Sequence, residues 1–240
     1  MEGLLADRKV LITGGTRGIG RELVLSFARA GATVVTCSRA GGDAVERELK
    51  QLGGDHRVVA ADVSDPDDVD RLVDECRSAL GSLDAVVHNA GVISHVPFAE
   101  LPVTEWRRVL DSNLGGAYLV TQKSLSLLAN PSSVVFIGSR VATVGVPLRA
   151  HYTAAKAGLI GLARSLSKEL GPRGVRVNVL APGPIETEAE VPPEVRQRYS
   201  QMISLGRLGQ PDDVAKAALF LASDLSCFVS GETLNVDGGI

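Results

Sequence analysis

A doubly wound α/β fold, one parallel sheet with helices on both faces, is what this 240-residue sequence predicts. Two observations carry it. Short, β-branched apolar runs alternate with longer amphipathic stretches along the whole chain, the pattern of strand–helix–strand units. A glycine-rich turn, Thr13-Gly14-Gly15-Thr16-Arg17-Gly18-Ile19-Gly20, joins the first run to the first amphipathic stretch.

The first strand covers residues 9–13, where Val10-Leu11-Ile12 is apolar on both faces, as a strand between two helix layers must be. A helix over 18–30 stops at Gly31, and the β-branched run 33–37 is the second strand. A helix over 43–52 ends at Gly53, followed by a strand over 56–60. Asp65-Pro66 places a capping acceptor before a proline at the first helical position, so the third helix runs 66–80 to Gly81. Strand 83–87 contains Ala85-Val86-Val87, and one continuous helix is predicted over 105–128. Val134-Val135-Phe136-Ile137 marks a strand over 133–138, and a helix over 152–170 stops at Gly171. A strand over 175–180, a helix over 212–222 and a strand over 233–236 complete about seven strands. With no linker, repeat or low-complexity segment, residues 1–240 read as a single domain.

Composition narrows the function. Apolar residues make up 45% and charged residues 22%, as in ordinary globular domains. A net charge of −3 argues against nucleic acid or an anionic membrane as partner. Cys37, Cys76 and Cys227 are odd in number and scattered, which fits a reducing compartment rather than a disulfide framework. His56, His88, His95 and His151 have no metal-ligand spacing, so no metal is expected. Glu2, Asp7, Arg8 and Lys9 argue against a signal peptide, and no apolar run approaches the roughly 18 residues of a membrane span. The expectation is a soluble, cytoplasmic protein.

The glycine turn predicts a phosphate cradle. Gly14, Gly18 and Gly20 let the backbone turn tightly, with Thr16, Arg17 and Ile19 between them, so that a pyrophosphate meets the amides at the helix N-terminus. NAD binders place an acid about 20 residues on, at the end of the second strand. Here that strand ends Cys37-Ser38-Arg39, and no acid occurs between Glu22 and Asp43. Arg39 and Arg17 can meet a 2′-phosphate, and Ser38 can donate to it, which favours NADP(H). Asp62 and Val63 follow the third strand, placed to touch the adenine, although Asp62 can equally cap its own turn.

Tyr152 and Lys156 lie one helical turn apart on one face. A fixed positive charge beside a phenol would move its pKa from about 10 toward neutrality. Asn89-Ala90-Gly91, Ser139 and Pro182-Gly183-Pro184-Ile185-Glu186-Thr187 fall at or just after strand ends, where open α/β sheets bind ligands. Asn113 sits within the long helix.

With these motifs in this order, the chain resembles the short-chain dehydrogenase/reductase family end to end, and so implies a Rossmann-type domain. The resemblance implies a catalytic tetrad of Asn113, Ser139, Tyr152 and Lys156. It also implies a nicotinamide site in which Asn89, Ala90, Gly91, Pro182, Gly183, Ile185 and Thr187 join the glycine loop, with Tyr152 and Lys156 touching the cofactor as well. In that chemistry Tyr152 protonates a carbonyl oxygen that Ser139 holds. Lys156 holds the nicotinamide ribose and shifts the tyrosine, and Asn113 holds a water leading to solvent.

The C-terminal segments 206–214, 220–224 and 230–239 look like those of 3-oxoacyl-(acyl-carrier-protein) reductases, polyketide ketoreductases and small alcohol dehydrogenases, which implies a homotetramer. The expected reaction is NADPH-dependent reduction of a ketone, free or carrier-protein-bound. The alternatives are an NAD-dependent alcohol or sugar dehydrogenase and a non-catalytic NADP(H) sensor. Arg140 and His151 are candidate substrate residues, Arg149 and Arg173 candidate carrier anchors, and 188–204 the expected lid.

Overall fold

The computed structural model describes residues 3–188 and 191–240; positions 1, 2, 189 and 190, including part of the expected lid, lie outside the described residues. Seven parallel strands form one sheet in the order β3-β2-β1-β4-β5-β6-β7. They are β1 (Lys9–Thr13), β2 (Thr33–Ser38), β3 (Arg57–Ala60), β4 (Leu83–His88), β5 (Leu128–Ile137), β6 (Val175–Pro182) and β7 (Thr233–Val236). This is the Rossmann-type arrangement the alternation predicts. Strand order reverses between β1 and β4, which opens a crevice at their C-terminal ends.

Helices α1 (Gly18–Arg29), α2 (Asp43–Leu52) and α9 (Pro211–Ala222) cover one face. Their Leu23, Phe27, Leu49 and Leu219 pack with Ile12, Val34 and Val87 of the strands. On the other face lie α3 (Pro66–Leu80), α5 (Gly116–Ser124) and α7 (Ala150–Leu170). There Leu72 and Cys76 meet Leu11 and Val86, and Leu159 and Ala163 meet Phe136 and Val177. Asp65 caps α3 as its sequence predicts, accepting the Asp67 and Asp68 N–H groups at 2.9 and 3.2 Å. The stop after α7 moves: Gly171 is helical (φ −51°) and begins a further turn, and Gly174 at φ +74° makes the reversal.

The predicted helix over 105–128 is the main departure. It is three pieces: α4 (Val103–Leu110), a π-helical turn (Asp111–Gly115), and α5. Asn113 causes the local change of pitch to be useful, because its amide donates to the carbonyls of Val109 and Val92, both at 2.8 Å. The chain then becomes strand at Leu128, five residues before the predicted start, and its pairing with β4 shifts register between Leu83 and Ala85. The short α6 (Val141–Val144) and α8 (Pro193–Met202) were not expected as helices; α8 lies within the expected lid. Among the described residues no helix is long and apolar enough to cross a membrane, and no group of metal-binding side chains occurs.

Candidate active site

The glycine loop leaves β1 with Gly14 at φ +70°. A Cβ there would lie 2.7 Å from Ala90 Cα, and one on Gly20 would lie 2.0 Å from the Gly14 carbonyl oxygen. These glycines are therefore required by the closeness of β1, β4 and α1. Thr13 Oγ1 accepts the N–H groups of Asn89 and Ala90 at 3.2 and 3.1 Å, and the Asn89 amide donates to the Gly14 carbonyl at 2.9 Å. Asn89 thus clamps the loop to β4 instead of presenting its amide to a ligand. Thr13 was not singled out in the sequence, since a threonine ending a strand carries no signal of a clamp 76 residues away.

Around this loop the side chains divide. Arg17 and Arg39 are exposed and have no partner among the described residues, so both guanidinium groups are available to a phosphate. Thr16 packs its methyl against Gly42, and Thr187 sits over Gly18, its methyl 3.4 Å from where a Cβ would be. Four expected contacts are otherwise engaged. The Ser38 hydroxyl donates to the Gly41 carbonyl at 2.5 Å. Asp62 caps its own turn, accepting the Ser64 N–H and hydroxyl at 2.9 and 2.6 Å. Val63 is buried in the core against Gly116. The Ile185 side chain turns into the core beside Gly209, leaving backbone as its surface toward a ligand. Pro182 and Gly183 are held by β7, the Gly183 N–H donating to Val236 at 3.0 Å.

The tetrad positions converge at the ends of β5 and the start of α7. Lys156 is 4% exposed and donates to the Ile137 carbonyl at 2.8 Å, with its Nζ 5.6 Å from the Tyr152 ring centroid. Ser139 stands beside the Tyr152 phenol, and its Oγ accepts the Val141 N–H at 3.3 Å. Gly91 lies beneath both Asn113 and Lys156: a Cβ there would be 2.4 Å from Asn113 Oδ1 and 3.6 Å from Lys156 Nζ. Asn113 is 2% exposed, and its Oδ1 is a buried acceptor without a protein donor. The donor set, the two unpartnered arginines and this acceptor fit a dinucleotide lying from α1 to α7.

The electrostatics correct one expectation. Burial raises the Tyr152 pKa above that of a free phenol, and the Ser139 hydroxyl and the Arg149 charge oppose this only in part. Lys156 Nζ lies 5.6 Å from the ring centroid, and burial depresses its own pKa to about 8. In the cofactor-free protein burial therefore moves the Tyr152 phenol away from neutrality rather than toward it.

Both candidate substrate residues point elsewhere. Arg140 Nε is 3.0 Å from Asp237 Oδ2, and the guanidinium also reaches Thr143 and, at 3.5 Å, the Ile240 carbonyl. It is drawn to the C-terminal tail because a carboxylate stands there. His151 is fully buried; its Nε2 is 2.7 Å from Ser94 Oγ, whose hydroxyl donates to Glu105, itself paired with Arg108. It fastens the loop after β4 to α7. Arg173 donates to the Leu125 carbonyl beyond the far end of α7, about 30 Å along the helix from Tyr152. Arg149 stays near it, donating to His95 at 2.8 Å.

The family model described as "Enoyl-(Acyl carrier protein) reductase" matches residues 14–240. The L-rhamnose 1-dehydrogenase (NAD(P)(+)) of Azotobacter vinelandii is 37% identical over 250 residues, covering 99% of this chain and 98% of that protein. The 3-oxoacyl-(acyl-carrier-protein) reductase FabG of Aquifex aeolicus is 37% identical over 247 residues, covering 100% of both. Among solved structures, a short-chain dehydrogenase/reductase from Serratia marcescens superimposes with a TM-score of 0.92 at 29% identity over 98% of each chain. A structure from Brucella melitensis described as SDR:Glucose/ribitol dehydrogenase gives 0.93 at 32% identity, over 100% of this chain and 98% of that one.

Proposed function

Because the chain belongs to the short-chain dehydrogenase/reductase family of oxidoreductases, we propose that it reduces a ketone to a secondary alcohol with NADPH. The observation that carries this reading is the buried Lys156, held by the Ile137 carbonyl at 2.8 Å with its Nζ 5.6 Å from the Tyr152 ring centroid. When bound, the reduced nicotinamide supplies a hydride to the carbonyl carbon. Ser139 holds the carbonyl oxygen and Tyr152 gives it a proton, as charge grows there. A donor aimed at developing negative charge contributes roughly 2.7–4 kcal/mol. The Lys156 ammonium stabilises the phenolate left behind and orders the ribose hydroxyls. Asn113 Oδ1, an acceptor facing the lysine, holds the water through which Tyr152 recovers its proton. Arg17 and Arg39 receive the 2′-phosphate, which sets the preference for NADP(H).

The turn of Arg140 toward Asp237 weakens the case for a free carboxylate substrate. We assign a small-molecule carbonyl, free or carrier-bound, with Arg149 as the anchor for a carrier. Phe98, Val103, Tyr118, Leu205, Leu225 and Phe228 are large apolar side chains left exposed in the single chain, which suits a homotetramer, and we place the protein in the cytoplasm. One observation favours a second reading, sugar oxidation: a rhamnose dehydrogenase matches as well as the 3-oxoacyl reductases do. Nicotinamide absorbance decides between them. NADPH should be consumed with some member of a panel of 3-oxoacyl thioesters, quinones and cyclic ketones. Turnover confined to sugars with NAD would replace the reductase reading.

A further inference from the structure

The proposed phosphate cradle contains an anion supplied by the chain itself. Glu188, at the start of the expected lid, reaches back 170 positions. Its Oε1 and Oε2 both accept the Gly18 N–H, at 2.8 and 3.0 Å. Gly18 opens α1, whose first turn holds no acid and whose capping residue, Arg17, offers no side-chain acceptor. The unpaired amides and the positive end of that helix thus have no local partner, and a distant carboxylate supplies one. Arg17 and Arg21 add positive charge around it, and together with the Gly18 hydrogen bond they hold the Glu188 carboxyl below the usual carboxylate range. Arg21 is also paired with Glu48 at 2.6 Å, whereas Arg17 is free among the described residues.

We infer that Glu188 is a further residue of the nucleotide site, one that sets cofactor affinity by holding the pyrophosphate's place at the N-terminus of α1. The inference rests on the reading of this site as an NADP(H) site. Two anions cannot share one N–H, and like charges at this distance repel, so the dinucleotide binds by evicting the carboxylate. Glu186, two residues earlier, stays tied to Gln210 at 3.0 Å and to Arg196 of α8. The eviction therefore acts locally: Glu188 moves, while the strut between α8 and the start of α9 is kept.

Titration of NADPH and NADP⁺ by protein fluorescence, with calorimetry as a check, tests this without turnover. Glu188→Ala and Glu188→Gln should bind both nucleotides more tightly, on the order of tenfold, the size of a charge–helix contact. Glu186→Gln, which removes a charge from the same segment away from the cradle, should leave the dissociation constant within twofold. In the cofactor-free protein, the Gly18 amide should exchange its hydrogen faster in Glu188→Ala than in the wild type. Unchanged or weaker binding in both Glu188 variants, with a wild type that binds normally, overturns the inference alone. A wild type that binds neither NADP(H) nor NAD(H) overturns the nucleotide reading and the inference with it, and the exchange result then reports only a structural contact.

Discussion

The two halves of the site are built on opposite principles. At the head of α7, Lys156, Asn113 and His151 are buried, and backbone carbonyls, Ser94 or a packed glycine fix each one before any ligand arrives. At the C-terminal ends of β1 and β2, Arg17 and Arg39 stand exposed without partners among the described residues, and the carboxylate at the start of α1 is the protein's own Glu188. On the proposed function, the half that would react is held in place by the protein itself. The half proposed to recognise the phosphate is left open, so its selectivity should change without disturbing the chemistry.

The largest test of that division is Tyr152→Phe. The ring packing is kept, so the thermal midpoint and nucleotide affinity should hold, while kcat should fall by roughly 10²–10⁴, the usual contribution of a general acid. Retained turnover would show that the rigid half is not the reacting half. The same half should carry an acid sensitivity. His88 is fully buried beside Phe136, paired with Thr121 at 2.9 Å, and burial lowers its pKa to about 3. A histidine depressed from about 6.5 contributes stability that is whole above pH 6.5 and is lost as pH falls toward 3, at about 1.4 kcal/mol per unit. Denaturant titration of His88→Gln should show a flatter pH dependence across that window; an unchanged slope assigns the acid sensitivity elsewhere.

A smaller effect should come from the open half. Arg39→Ala should raise the KM for NADPH about tenfold to hundredfold, the loss of a charge-assisted contact of roughly 1.5–3 kcal/mol, and leave the KM for NADH within twofold. Equal losses with both nucleotides would place Arg39 away from the 2′-position. Least affected should be Arg140→Ala: a cost of about 1 kcal/mol from the lost Asp237 pair, and a KM for the ketone within threefold. A tenfold rise in that KM would return Arg140 to the pocket.

Legibility follows the same division. The parallel sheet, the strand positions and the glycine turn were readable because each depends on local pattern: apolar runs and tight turns. The break between α4 and α5 was not, since residues 103–124 keep helical periodicity and the π turn depends on Asn113 reaching the carbonyl of Val92, 21 residues away. The directions of Arg140, Ile185 and Glu188 were hidden for the same reason: Asp237, Gly209 and Gly18 draw them, and no sequence window contains both partners.

Lys156 has a consequence for how this protein would fare under selection. Its ammonium is almost wholly removed from water, hydrogen-bonded to one carbonyl, and depressed to about pH 8. Below that pH the ligand-free fold carries an under-solvated charge, a handicap on the order of 3 kcal/mol that eases as pH rises from 8 toward 10.5. Exchange for methionine would relieve it. A library sorted for heat resistance alone should therefore drift away from lysine at this position and yield robust, inert proteins, whereas one sorted for turnover should hold it fixed.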